Sequence, residues 1–208
     1  MAHDAAAHAL HHDGVHDAAH PDTTTGIDNR KVAIWTFIGS ECMFFASLIS
    51  TYLVYKGKSL SGPTPAEILQ IPLVTFGTAL LLFSSLFVVL ALNGAQRGNR
   101  KQLLLWLGMT LVCGIFFVAM QVYEFQHFVH EGLTPQTNLF GASFYLLTGF
   151  HGTHVTLGVI WLLTVFITAV RGQLPPAKAL NLEMAALYWH FVDVVWIVIF
   201  PVVYLMKN

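Results

Sequence analysis

The strongest constraint on this chain is that ionisable side chains lie inside segments apolar enough to cross a membrane. Two histidines, His151 and His154, lie in "FHGTHVTLGVIW", whereas His190 and Asp193 lie in "YWHFVDVVWIVIFPVVYL". Glu41 lies in "IGSECMFFASLI". A titratable side chain is costly at the centre of a bilayer, so each of these must face a bundle interior or a water-filled cavity. We therefore treat these residues as candidates for a structural, proton-conducting or ligand-binding role.

The composition places the chain among polytopic membrane proteins. Hydrophobic residues make up 55% of the 208 residues and charged residues 10%, whereas a soluble domain has about 25% charged residues. A helix of about 20 residues crosses the hydrocarbon of a bilayer. Because no period-2 alternation favours a β-barrel, we predict an all-α bundle of five transmembrane helices. The five apolar segments cover residues 31–56, 72–93, 102–127, 139–170 and 184–206.

The first 29 residues differ from the rest of the chain. They are polar, low in complexity and rich in Ala, Asp and His, so they cannot bury a core. We predict a disordered, cytoplasmic, His-rich tail over residues 1–29 and a transmembrane domain over residues 30–208. Seven Lys and Arg residues flank one side of the predicted membrane and three flank the other, which predicts that the N-terminus is cytoplasmic. The net charge of -1 and the lack of a basic arm predict no nucleic-acid partner.

The helical rise of 1.5 Å per residue predicts how deep each polar side chain lies. Glu41, His151, His154, His190 and Asp193 all fall near the middle of their segments, so we expect them to share one mid-membrane layer. A second polar group is expected near the outer end of the third segment; it contains Gln121, Tyr123, Glu124, Gln126 and His127.

Three interpretations of the mid-membrane layer remain open from the residues themselves. The layer could be a hydrogen-bonded network that fixes helix packing. It could instead take up protons, because buried carboxyl groups and histidines titrate near neutral pH. It could also ligate a metal, since helix bundles build metal sites from carboxylates and histidines. The three histidines of the layer form no dedicated EXXH motif, which argues against an intrinsic metal site.

Glycines and tryptophans add two expectations about packing. Gly149, Gly152 and Gly158 are predicted to let another helix approach the fourth segment closely. Aromatic rings near the ends of spanning segments are typical interfacial anchors. We expect that role of the tryptophans Trp35, Trp106 and Trp189.

Four stretches of the chain resemble subunit III of the haem–copper terminal oxidases. They are "GSECMFFASL", "YEFQHF", "GASFYLLTGFHGTHVTLGVIW" and "YWHFVDVVWIVIFPVVYL". With five predicted spans and a His-rich tail, the chain looks most similar to subunit III of a bacterial cytochrome o-type ubiquinol oxidase. Subunit III of a bacterial cytochrome c oxidase is the alternative. A stand-alone membrane transporter or metalloenzyme is a more remote alternative.

The resemblance implies an accessory subunit that carries no catalytic, cofactor-binding or metal-binding residue itself. Haems and copper are expected in the partner subunit I, and the expected partners are subunits I, II and IV and membrane phospholipids. The expected location is the bacterial cytoplasmic membrane, with the C-terminus periplasmic. The positions that match the family's buried polar set are Glu41, Glu124, His151, His154, His190 and Asp193.

Overall fold

The computed structural model describes residues 28–56, 71–136, 138–174 and 179–206, and within these ranges the chain is helical apart from short turns. The predicted all-α bundle is confirmed, because five helices are long and apolar enough to cross a membrane. Residues 1–27 of the predicted tail lie outside the described ranges. The helices are α1 (Asn29–Tyr55), α2 (Ile71–Gln96), α3 (Arg100–His130), α4 (Leu139–Val170) and α5 (Ala179–Phe200), which continues into a π-helical turn at Pro201–Leu205.

The helix ends follow local signals in the sequence. The side chains of Asn99 and Asn138 accept hydrogen bonds from the first turns of α3 and α4, as N-capping residues do. α3 is followed by Gly132, whose φ of 84° is readily adopted only by glycine. α5 begins at Ala179 rather than at the predicted residue 184, because its first turns are rich in Ala and Leu, which favour helix.

α5 is the central helix of the bundle. It packs against α1, α2 and α4, while α3 packs between α2 and α4. Of the five spans, α5 has the largest buried share and α1 the smallest. The position of α5 allows its side chains to contact three other helices.

Trp189 packs in the interior of the bundle, so the prediction that Trp189 is an interfacial anchor is wrong. The side chain is fully buried, and its Nε1 donates a hydrogen bond to Ser84 Oγ at 2.9 Å. The early start of α5 explains the error, because it places Trp189 well inside the helix. Trp35 remains exposed near the start of α1.

The small residues of α3 and α4 make room for side chains. A Cβ atom on Gly114 or Gly158 would lie 2.7 or 2.9 Å from the ring of Trp189. A Cβ on Gly152 would lie 2.5 Å from the Gln121 side chain, whereas Gly149 meets nothing closer than 3.9 Å. The predicted glycines of α4 therefore accommodate inserted side chains rather than the backbone of another helix.

Replacing Gly114 by alanine is expected to destabilise the protein by about 1–3 kcal/mol, because the new methyl group would overlap the rigid Trp189 ring. Gly39 is the matched control, since a Cβ there meets nothing within 4 Å. We expect Gly39→Ala to leave stability unchanged or raise it, because alanine favours helix. Thermal unfolding in detergent compares the two variants. Equal midpoints would contradict the packing of Trp189 against α3.

Candidate functional site

The first polar pair joins α1 to α4. Glu41 Oε2 lies 3.2 Å from His154 Nε2, although this oxygen is not aligned for a hydrogen bond. His154 Nδ1 lies 2.7 Å from the Phe150 carbonyl oxygen, so Nδ1 carries a hydrogen and donates it. Nε2 therefore faces the Glu41 carboxyl.

The second polar group joins α2 to α5 through a serine. Ser85 Oγ lies 2.8 Å from His190 Nδ1 and is also hydrogen-bonded to Asp193 Oδ2. Asp193 is 3% exposed, and its Oδ1 has no hydrogen-bond partner. The hydroxyl can donate one hydrogen bond and accept another. Ser85 therefore connects the imidazole and the carboxyl, which are one helical turn apart on α5.

His151 is isolated from both groups. Its ring is fully buried and stacks on Trp196 with a centroid distance of 4.7 Å. Phe45 and Phe117 contact it edge-on. Within the described ranges neither ring nitrogen has a hydrogen-bond partner. His151 thus fills an aromatic pocket rather than joining His154, although the two are only three residues apart.

The expected mid-membrane layer is therefore divided into separate groups. Glu41 contacts His154, Ser85 connects His190 to Asp193, and His151 packs among aromatic rings. Each of the two polar pairs belongs to a different helix interface. This arrangement suits the cross-bridging of helices and does not bring the five predicted residues into one site.

The carboxyl of Glu124 lies in the half of the bundle where α1, α3 and α5 end, which is the half predicted to be the outer one. It is 3% exposed, and Oε2 accepts a hydrogen bond from Tyr204 Oη at 3.0 Å. The π-helical turn at the end of α5 carries Tyr204 to this position. One turn before Glu124, Gln121 Nε2 donates to the Thr148 carbonyl oxygen at 2.7 Å. The predicted outer polar group thus joins α3 to both α4 and α5.

Lys56 directly follows α1 and caps the C-terminal end of α5. Its Nζ donates hydrogen bonds to the carbonyl oxygens of Val202 and Met206, at 3.0 and 2.6 Å. These carbonyls belong to the end of a helix, where unpaired acceptors favour a cation. Burial lowers the pKa of the Lys56 ammonium group. The contact holds the π-helical turn, and therefore Tyr204, against the rest of the bundle.

The donor groups do not form a metal-binding geometry. In the part of the chain that the structure describes, no three His, Cys, Asp or Glu side chains converge as a metal site requires. Cys42 is exposed and Cys113 is buried, and both are free thiols.

Comparison with known proteins identifies the family. A family model described as cytochrome c oxidase subunit III matches residues 8–208. The chain belongs to the cytochrome c oxidase subunit III family. The predicted resemblance to subunit III of the haem–copper oxidases is thereby confirmed, and the chain is a multi-pass membrane subunit of an oxidase complex.

Relatives within the subunit III family carry different names. The chain is 43% identical to a "Cytochrome c oxidase subunit 3" of a Bacillus species over 178 residues, which cover 86% of each chain. It is 39% identical to a "Quinol oxidase subunit 3" of Bacillus subtilis, over 84% of this chain and 86% of the relative. It is 37% identical to a "Cytochrome bo(3) ubiquinol oxidase subunit 3" of Pseudomonas aeruginosa, over 98% of this chain and 95% of the relative.

Several partners of the polar residues in this subunit III were missed by sequence analysis. Ser85 and Tyr204 complete the pairs of Asp193 and Glu124, and Thr78 accepts a hydrogen bond from Trp196 Nε1 at 2.9 Å. Hydroxyl residues are common in membrane helices, where many of them bond to their own backbone. The doublet of Ser84 and Ser85 in the middle of an apolar segment is a signal that could have indicated a site on α2.

Tyr204→Phe is expected to destabilise the subunit by about 1–3 kcal/mol, because it leaves the Glu124 carboxyl buried without its hydrogen-bond donor. Tyr123→Phe is the control, since Tyr123 is exposed beside Glu124 on α3. The thermal midpoint of the purified complex measures both effects. If Tyr204→Phe behaves like the control, the hydrogen bond does not support the outer half of the bundle.

Proposed function

We propose that the chain is the noncatalytic subunit III of a bacterial, proton-pumping cytochrome o-type ubiquinol oxidase. In this role it stabilises subunit I and supports proton uptake, while the complex couples quinol oxidation to the reduction of oxygen to water. The o-type assignment is favoured by the length of the chain that aligns with a ubiquinol oxidase subunit. The alignment with the Pseudomonas aeruginosa ubiquinol oxidase subunit spans 98% of this chain, including most of the residues before α1.

A subunit III of a bacterial cytochrome c oxidase is the second candidate. It is favoured by sequence identity, which is 43% to the Bacillus cytochrome c oxidase subunit and 37% to the Pseudomonas aeruginosa subunit. The two candidates differ in the electron donor of the complex. An assay of the assembled complex with both donors separates them.

The remaining parts of the proposal concern partners and location. The chain would pack with subunits I, II and IV and with phospholipids in the bacterial cytoplasmic membrane. Haems and copper would be bound by subunit I. The excess of Lys and Arg on one side of the predicted spans supports a cytoplasmic N-terminus and a periplasmic C-terminus.

Glu41 is the proposed proton-related residue of this subunit. Its carboxyl faces His154 near the middle of α1, and both side chains are mostly buried, with exposed fractions of 19% and 13%. The carboxyl oxygen and the imidazole nitrogen are 3.2 Å apart, so a small movement of either side chain would align them for proton transfer. This pair therefore supports a modulating role in proton uptake better than the fully buried His151 does.

Purification through a tag on this chain, in mild detergent, is the experiment that tests the o-type assignment. We expect the chain to copurify with haem and with oxygen uptake driven by ubiquinol. Oxygen uptake driven by reduced cytochrome c alone would instead support the second candidate, subunit III of a cytochrome c oxidase. A haem-free chain that is inactive with both donors would overturn the proposal and favour a stand-alone transporter or metalloenzyme.

Glu41→Gln is expected to keep most of the initial rate of oxygen reduction, because no redox centre is proposed in this chain. The effect should be faster inactivation during turnover or fewer protons released per electron. Glu183→Gln is the control. That carboxylate pairs with Lys31 at 2.7 Å, near the end of the bundle where α1 and α5 begin and away from Glu41. Loss of nearly all initial activity in a fully assembled Glu41→Gln complex would contradict the accessory role.

A further inference from the structure

One ring nitrogen of His190 remains open to the surface of the bundle. Nδ1 contacts Ser85 Oγ. Nε2 has no hydrogen-bond partner among the described residues, and it is not one of the polar atoms sealed inside the bundle. His190 lies near the middle of the span from Ala179 to Leu205. An open imidazole nitrogen at this depth requires a hydrogen-bond partner that the described residues do not supply.

The Asp193–Ser85–His190 group determines whether Nε2 donates or accepts a hydrogen bond. A net charge in an apolar environment is costly unless it is paired. No ion pair to Asp193 is formed by the described Lys and Arg residues. We therefore take this group to be neutral overall, with one proton distributed between the Asp193 carboxyl and the imidazole.

A carboxyl proton on Asp193 Oδ1 would be a buried O–H without an acceptor, because this oxygen has no partner among the described residues, so it is disfavoured. The two remaining neutral arrangements both place a hydrogen on Nε2. If the carboxyl keeps the proton, it donates to Ser85 Oγ, the hydroxyl donates to Nδ1, and the neutral ring carries its hydrogen on Nε2. If the imidazole takes the proton, Nδ1–H donates to Ser85, the hydroxyl donates to the carboxylate, and Nε2 also carries a hydrogen. The outward-facing atom is thus a hydrogen-bond donor in either case.

The surface around this donor is apolar. On α5, Val194 and Ile197 are 58% and 48% exposed and lie on the same helix face as His190. On α2, Leu82 and Val89 are exposed on either side of Ser85. We name this surface the His190 face; it consists of Leu82, Ser85, Val89, His190, Val194 and Ile197.

Lipid cannot satisfy the donor on the His190 face. Acyl chains contain no hydrogen-bond acceptor, and the ester groups of phospholipids lie near the membrane interface, about 15 Å from the bilayer centre. A side chain on a neighbouring transmembrane helix can reach this depth. Polar side chains do bridge helices within membranes in this way.

We propose that the His190 face docks a transmembrane helix of another oxidase subunit, which presents a hydrogen-bond acceptor to His190 Nε2–H. The acceptor is a carboxyl, amide or hydroxyl oxygen on an otherwise apolar helix. The proposal requires that the chain is a subunit of an oxidase complex. It does not depend on whether quinol or cytochrome c is the electron donor.

Two substitutions of His190 separate its outward contact from its inward one. The amide of His190→Asn ends near the position of Nδ1, so it keeps the contact with Ser85 and removes the outward donor. The longer side chain of His190→Gln carries its amide near the position of Nε2, so it keeps the outward donor. After a detergent challenge of the tagged complex, we expect the Asn variant to lose this chain from the haem subunit about three- to tenfold more readily than the wild type. The Gln variant should stay close to the wild type.

A photocrosslinking residue at Val194, with His190 unchanged, tests the same face without depending on the stability of those variants. We expect irradiation of the complex in native membranes to join this chain to a second oxidase subunit. An adduct with lipid alone, or equal retention of the Asn and Gln variants, would overturn the docking proposal. The haem content of the same tagged sample distinguishes failure of the docking proposal from failure of the proposed function. A wild-type chain that purifies without haem would refute the oxidase role itself.

Discussion

Hydrocarbon offers no hydrogen bonds, and this constraint controls how the polar side chains of the bundle are arranged. Each carboxyl group in the membrane interior lies against a partner on a different helix: Glu41 against His154, Asp193 against Ser85, and Glu124 against Tyr204. The three contacts join α1 to α4, α2 to α5, and α3 to α5. Polar groups that would be costly alone thus connect helices in pairs across the bundle.

This pairing gives the titratable groups inside the bundle a structural role as contacts between helices. The carboxyl groups of Glu41, Asp193 and Glu124 each contact a different partner side chain. His151 is enclosed by aromatic rings. Membership of the cytochrome c oxidase subunit III family agrees with a role as one subunit of a larger oxidase complex. The exception is His190, whose second nitrogen remains available at the surface.

The number and class of the helices could be predicted because long apolar segments have few alternatives in a membrane. The positions of Glu41, His151 and Asp193 inside long helices could also be predicted, because each lies within an apolar segment. Which residues contact each other could not, because that depends on how each helix is rotated about its axis. His151 and His154 are three residues apart and both contact Phe45, and yet His154 faces Glu41 whereas His151 stacks on Trp196. Trp189 was misplaced because the start of α5 was predicted too late, and the π-helical turn that positions Tyr204 has no clear signal beyond Pro201.

The most direct test of this account is a cryo-electron-microscopy map of the assembled complex at a resolution that shows side chains. We predict Glu41 against His154, Ser85 between His190 and Asp193, and Tyr204 on Glu124, with all haem and copper density outside this chain. Density for a metal or cofactor held jointly by Glu41, His151 and His190 would contradict the account. It would mean that the polar side chains form one shared site rather than separate contacts between helices.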